Sequence, residues 1–398
     1  MMRRVLMISA LLSLVTLGGC AWVSGFFGGT DNTEPPAPLV KFKPTLHVKT
    51  LWTAQVGSGA GKLWFKLTPL VRDGKVYAAT HSGVVHAFNA ATGDTLWRTD
   101  THAPISSGIG GGEGVLLMGT SDGRVLALNA ADGKPMWRVP VSSVVLAAPQ
   151  VAQGVVVVHT VDDNVFGLEA KTGKRLWVYG HSAPSLTLRG SSSPALVNGM
   201  VLCGFGNGKL AALSLTEGKL IWEATIAVPR GRSELQRMVD IDSAPKVAGD
   251  NVYVVTYHGR VAELTLNAGQ ILWSRDMSSY EGLSVDGDRV FVTDADSQVW
   301  ALDRRTGASL WKQDKLRARS VTRPVPDGRY IVVGDYAGYV HWLSQDDGHF
   351  AARVRVDSSS IITPPVVSGD TVYVYSRGGV LAALRASKIT KTKHSSFF

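Results

Sequence analysis

Two features of the chain invite a search for chemistry. The run Gly119-Thr120-Ser121-Asp122-Gly123 has the G-x-S-x-G spacing that raises a nucleophilic serine on a sharp turn in serine hydrolases. A tryptophan also returns at Trp52, Trp97, Trp137, Trp177, Trp222, Trp273 and Trp311, 38 to 51 residues apart. Flat indoles in register could serve as a platform for a planar cofactor. Each reading makes a demand on the elements around it. A nucleophile elbow needs a helix after the turn, but Ser121 is followed by VLALNA, which alternates with the period of a strand. Similar turns recur as GNGK, YHGR, DADSQ and YAGY, so Ser121 is expected to be a turn residue. The ten histidines are scattered without HExxH or zinc spacing, and no carboxylate pair stands out. No catalytic, cofactor-binding or metal-binding residue is expected.

The tryptophans belong to a repeat. Six of them lie four residues after a turn glycine: Gly93, Gly133, Gly173, Gly218, Gly269 and Gly307. An eighth turn carries Gly348, with Ala352 where the tryptophan should be. The stretch Ser193 to Trp222 reads as four strands, SPALV, MVLCGF, LAALSL and LIWEA, separated by the turns NG, GNGK and TEGK. The third strand occurs eight times, as VHAFNA, VLALNA, VFGLEA, LAALSL, VAELTL, VWALDR, VHWLSQ and LAALRA. A period of 40–45 residues built only from strands predicts an all-β, eight-bladed β-propeller with four antiparallel strands per blade. The ends do not match. The strand around Trp52 has no three strands before it, and VVSGDTVYVYSRGGVLAALRA has no fourth after it. The N-terminal strand should therefore complete the last blade, closing the ring and removing free sheet edges.

Composition narrows the function classes. Of 398 residues 45% are hydrophobic and 18% charged, as in a folded protein, and 43 glycines fit many tight turns. The net charge of +9 is not gathered into a dense basic patch, which argues against a nucleic-acid partner.

The first residues, MMRRVLMISALLSLVTLGGC, combine a basic start, an apolar run and small residues before Cys20. This is a secretory signal, too short for a spanning helix. Leu17-Gly18-Gly19-Cys20 resembles the bacterial lipobox, which implies a signal peptide over 1–19 and acylation of Cys20. Ala21, where an aspartate would signal inner-membrane retention, favours the outer membrane. Residues 20–44 read as a flexible tether spanning roughly 25–30 Å. The propeller is expected over 45–387. Residues 388–398 read as a disordered tail, because the terminal Phe398 lacks the alternating strand of an outer-membrane barrel signal. Cys203 is left without a partner, and in VLCGFG it reads as a small core residue.

The A-x-x-G-x-x-x-W pattern resembles the docking motif of pyrroloquinoline quinone (PQQ) enzymes, in which the tryptophan packs between blades. Those enzymes are longer and carry vicinal cysteines and calcium ligands that this chain lacks. The whole chain, from lipobox through short tether to eight PQQ-type blades, is more similar to the BamB family of lipoproteins of the outer-membrane β-barrel assembly (BAM) complex. SLTLRGSSSP, MVDIDSAP, VVGDYAGYVHWLS and VDSSS look like that family's non-repeating segments. The resemblance implies a non-enzymatic scaffold without cofactor, held by its lipid on the periplasmic side of the outer membrane. A PQQ-dependent dehydrogenase and a periplasmic scaffold for other partners are the competing readings.

A propeller acts through loops on one face. The gaps from Trp177 to Pro194 and from Trp222 to Pro245, 17 and 23 residues, are two of the three longest and are consecutive. They should form one contiguous surface. In SLTLR, Leu186 and Leu188 should point the same way, beside Arg189, and the second gap holds Arg230, Arg232, Glu234, Arg237, Asp240 and Asp242. In the BamB family the matching leucines, arginine and D-x-D aspartates are associated with binding BamA through its periplasmic POTRA domains. The resemblance carries that role onto Leu186, Leu188, Arg189, Asp240 and Asp242. The leucines could instead cap the blade core, and Arg189 could pair internally with Asp240 or Asp242. Unfolded outer-membrane proteins could also add a strand to an outer blade edge, though no edge is singled out.

Overall fold

The computed structural model describes residues 34–389 other than Ser182, Arg189 and Ser191. Eight four-stranded antiparallel sheets follow one another along the chain. Blades 1 to 7 span 70–100, 110–140, 150–180, 195–225, 246–276, 282–313 and 325–355. Blade 8 takes three strands from 366–388, and its outer strand is Leu46–Gln55. There Trp52 pairs with Ala383. Inner strands of neighbouring blades touch, and that of blade 8 meets that of blade 1. The ring is thus an eight-bladed β-propeller closed by the N-terminal strand, as the repeat count requires. Lys388 ends the third strand of blade 8, one residue beyond the expected boundary at 387.

The repeat works as a chain of docks. In each blade the outer strand carries a bulge one residue before the tryptophan position, for example at Leu176, where Gly167 pairs with Trp177 and Leu168 with Arg175. The bulge leaves leucines such as Leu96, Leu176 and Leu310 exposed and turns the indole toward the next blade. There the indole lies on the turn glycine. A Cβ on Gly218 would stand 2.4 Å from the Trp177 ring, and one on Gly93 would stand 2.6 Å from Trp52. The indole N–H then donates to a carbonyl of the same turn: Trp52 to Ala90 at 3.0 Å, Trp177 to Leu215 at 2.9 Å and Trp222 to Leu266 at 2.9 Å. Each buried indole removes roughly 200 Å² from water, about 5 kcal/mol before entropy is counted. Trp97 departs from the pattern. The carbonyl of Ala130 accepts from Tyr77 instead, and the buried Trp97 Nε1 has no hydrogen-bond partner among the described residues.

Ala352 in place of a tryptophan has a structural counterpart. In most other blades an alanine or glycine on the third strand faces the tryptophan, as Ala212 faces Trp222 and Ala301 faces Trp311, and in blade 5 Glu263 faces Trp273. In blade 7 the pair is exchanged, and Trp342 faces Ala352. Trp342 is fully buried and donates to Asp327 Oδ2 at 2.8 Å.

Residues 37–44, expected to belong to the tether, instead pack with Thr45 against the body of the propeller. Ala37 N donates to Arg317 O at 3.0 Å, Arg353 donates to Val40 O at 2.8 Å, and Thr45 N donates to Ala351 O at 2.9 Å. The Phe42 ring stacks on Phe350 with centroids 5.3 Å apart, and the Arg353 guanidinium lies 5.0 Å from the Phe42 centroid. This strap lies along the outer strand of blade 7. Cys20 and residues 390–398 lie outside the described residues.

Candidate functional site

Alternating strand direction puts every crossover from an outer strand to the next inner strand on one face, together with the turns between second and third strands. The crossovers 181–194 and 226–245 therefore share a face and join successive blades. They are also bonded to each other. Leu188 N donates to Asp240 Oδ2 at 2.7 Å, Ser185 Oγ to Glu234 Oε2 at 3.0 Å, and Ser192 Oγ to Ser243 O at 2.9 Å.

Leu186 is 43% exposed at the tip of the first crossover, whereas Leu188 is half-buried beside its bond to Asp240. The two leucines thus differ in role, one presented to solvent and one seated. The second crossover adds Val228 at 60% and Leu235 at 63% exposure. The sequence signal of both is their place in the longest gap, with Leu235 also set between Glu234 and Arg237. Leu63 and Trp64 are likewise exposed, on the crossover 56–69 of the same face. Arg189 lies outside the described residues.

Asp240 and Asp242 sit beneath this surface. Asp240 is 2% exposed, its backbone carbonyl accepts Tyr257 N at 2.8 Å, and Ile241 N donates to Phe205 O at 3.2 Å. The D-x-D segment is thereby tied to blades 4 and 5. Asp163, from the second turn of blade 3, joins them. It accepts Gly206 N at 3.1 Å and lies 3.4 Å from His159 Nε2. Its sequence signal was the polar turn VDDN, which resembles every other blade turn. His159, Asp163, Asp240 and Asp242 line a cavity of about 10 Å³, the room of one water. Asp240 Oδ1 and Asp242 Oδ2 are buried without a hydrogen-bond partner among the described residues. Gly190 closes over Asp242, and a Cβ there would lie 2.3 Å from Asp242 Oδ1.

Burial, opposed by the bond from Leu188 N, pushes the Asp240 carboxyl up to about 6. Burial and then the neighbouring Asp240 charge push Asp242 up to about 7. The D-x-D pair is therefore a desolvated brace beneath the crossovers, with both carboxyls held above the usual range. Among the described residues no group of three His, Cys, Asp or Glu is arranged to hold a metal ion.

Ser121 sits in a turn between two strands, its Oγ 3.4 Å from Pro104 O, so no elbow exists there. Cys203 is fully buried, and burial pushes its thiol upward.

A sequence family described as outer membrane protein assembly factor BamB matches residues 48–104, 81–313 and 310–392. The chain is 47% identical over 376 residues to the outer membrane protein assembly factor BamB of Pseudomonas aeruginosa, covering 94% of this chain and 97% of that one. It is 43% identical to that of Legionella pneumophila, covering 93% and 96% of the two chains. The crystal structure of BamB from Moraxella catarrhalis superposes with a TM-score of 0.79 at 27% identity, covering 85% of this chain and all of the other. A quinohemoprotein alcohol dehydrogenase from Comamonas testosteroni superposes with a TM-score of 0.68 at 15% identity over 87% and 78% of the two chains, and this shows a shared fold alone. The chain belongs to the family of the outer membrane protein assembly factor BamB, a family of assembly factors and not of enzymes.

Proposed function

We propose that this protein is a scaffold of the BAM complex that binds the POTRA domains of BamA through the crossovers 181–194 and 226–245. The observation that carries this reading is the exposed Leu186 on a loop pinned at Leu188 N by Asp240. An apolar tip on a braced loop loses little entropy when a partner covers it. Leu235 and Val228 extend the apolar area on the same face. In this reading Leu186 and Arg189 contact the partner, Leu188 seats the loop, and Asp240 and Asp242 act through the loop they hold. The acylated Cys20 ties the body to the periplasmic leaflet of the outer membrane, leaving residues 21–36 as the tether. Two acyl chains or more are needed for stable anchoring, which a lipidated N-terminal cysteine supplies.

The test is capture of BamA POTRA domains by Leu186→Asp and by the double variant Leu188→Ala, Arg189→Ala. Both should capture at least about tenfold less, the effect of removing a central apolar contact. Circular dichroism and melting of Leu186→Asp should match wild type. A variant that captures normally sinks the site, and one that melts far lower marks a core residue. Mass spectrometry of what co-purifies from outer membranes tests the wider reading, which fails if barrel-assembly subunits are absent.

A further inference from the structure

Side chains alternate along an outer strand, so the residue after the docking tryptophan turns back toward the preceding blade. In seven blades that residue is polar or charged: Arg98, Arg138, Glu223, Ser274, Lys312, Thr53 and, after Ala352, Arg353. Several of these cover the space beside them. Arg138 donates to Thr101 O in the crossover behind it, Lys312 Nζ lies 5.0 Å from the Trp300 centroid, and Glu223 Oε2 stands 3.2 Å from His181 Nε2. Blade 3 has Val178 instead, paired with Phe166 as Arg138 is paired with Leu126. A valine is too short to fill the room an arginine takes. A cleft of about 410 Å³ is left there, walled by Pro140 and Val141 on one side and by Phe166, Arg175 and Val178 on the other. That is within the usual size of a ligand cleft, and most of its wall is apolar.

Blade 7 shows what an outer strand accepts at these positions. Phe350, Ala351 and Arg353 hold the register places of Arg175, Leu176 and Val178. The strap, which has no regular secondary structure before Leu46, is seated on them. Phe42 stacks on Phe350, Val40 O accepts from Arg353 at 2.8 Å, and Thr45 N donates to Ala351 O at 2.9 Å. A peptide segment thus docks through one aromatic ring and a few backbone bonds. In blade 3 the equivalent row stands open, with Leu176 at 47% and Val178 at 50% exposure.

Charge narrows the occupant. The exposed Arg175 side chain makes no hydrogen bond or ion pair among the described residues. The acids of this blade edge are already engaged. Glu169 accepts from Thr172, and Asp162 accepts from Thr160, Ser142 and Asn164. A guanidinium left free beside an apolar cleft complements a carboxylate carried next to an apolar side chain.

We propose that the cleft between blades 2 and 3 is a docking groove for a peptide segment of another protein, which sets an apolar side chain against Phe166 and Val178 and a carboxylate against Arg175. The groove lies on the outer rim of the ring and uses neither crossover 181–194 nor 226–245, so it does not rest on the reading proposed for them.

The test is titration of the whole folded protein into a dye-labelled, N-acetylated octapeptide of alternating polar and apolar residues with a central phenylalanine and one glutamate. Saturable binding at roughly 10–100 μM is expected by fluorescence anisotropy. Val178→Arg, which installs the side chain that blade 2 carries, should weaken it at least about tenfold with unchanged melting. Arg175→Gln, or lysine for glutamate in the peptide, should weaken it roughly three- to tenfold. Leu272→Arg, at an exposed place on the outer strand of blade 5, should leave it unchanged. In the wild type, which carries no folding risk, the peptide should slow hydrogen exchange in Arg175–Gly180 and in no other outer strand. The proposal is overturned if the peptide does not saturate, if Val178→Arg binds as wild type does, or if exchange slows instead in Phe350–Arg355, which would place the peptide on blade 7 in exchange for the strap. It is equally overturned if Arg175–Gly180 becomes protected without peptide as protein concentration rises, which would assign the cleft to a second copy of this chain.

Discussion

Trp342 faces Ala352 across the outer two strands of blade 7, the reverse of the pairing in which Ala212 faces Trp222. The exchange has a topological cause. A tryptophan on an outer strand docks on the turn between the third and fourth strands of the next blade. Blade 8 has no such turn, because its fourth strand comes from the other end of the chain. An indole at position 352 would have nothing to dock on. Moving it to the third strand buries it within blades 7 and 8, where it packs with Leu46, Val372 and Leu384. Trp342→Ala should therefore cost about 3–5 kcal/mol. Adding Ala352→Trp should return less than about 1 kcal/mol, measured by denaturant unfolding. Full recovery by the double variant would show that the missing turn is irrelevant.

The docking tryptophans differ in their indole N–H. Trp177 donates to Leu215 O at 2.9 Å, whereas the buried Trp97 N–H has no acceptor among the described residues. Replacement by Phe removes similar ring area at both sites but a hydrogen bond at only one. Trp177→Phe should be about 1 kcal/mol more destabilising than Trp97→Phe. Equal losses would mean that the hydrogen bond contributes nothing to docking.

The strap takes the place of a tryptophan dock at the junction of blades 7 and 8. Phe42 stacks on Phe350 with the Arg353 guanidinium against both rings, and Thr45 bonds to Ala351. Phe42→Ala should lower stability by about 1–3 kcal/mol. Hydrogen exchange should quicken first in Leu46–Gln55 and Phe350–Arg355, the strands the strap joins. Uniform exchange around all eight blades would show that the strap has no local role.

Asp242 makes a pH prediction with a definite sign. Its folded carboxyl is raised from 3.8 to about 7, so the folded state holds more protons than the unfolded chain between those values. Stability contributed by this group is present at low pH and is lost as pH rises through that window. Asp242→Asn removes the charge that burial disfavours. Its unfolding free energy relative to wild type should rise from pH 5 to pH 8, by on the order of 2 kcal/mol. A difference that is constant with pH would mean that the carboxylate is not held in a dry site.

The repeat was legible because it is local. The turn glycine, the bulge and the tryptophan lie within a few residues of one another, and strand alternation shows in each segment separately. Counting them determined eight blades and required the Trp52 strand to close the ring. Even so, in the sequence VHWLS is one more third strand, and the exchange of Trp342 with Ala352 is invisible there, since pairing across strands has no linear signature. The leucines and aspartates of the long crossovers were also legible, as breaks in the period. What sequence by itself could not assign is which of these residues face solvent and which brace. Only the tertiary structure separated Leu186 from Leu188, brought Asp163 to Asp240 and laid residues 37–45 along blade 7. Those contacts join segments tens to hundreds of residues apart, and their energies depend on burial and mutual charge, which exist only once the ring has closed.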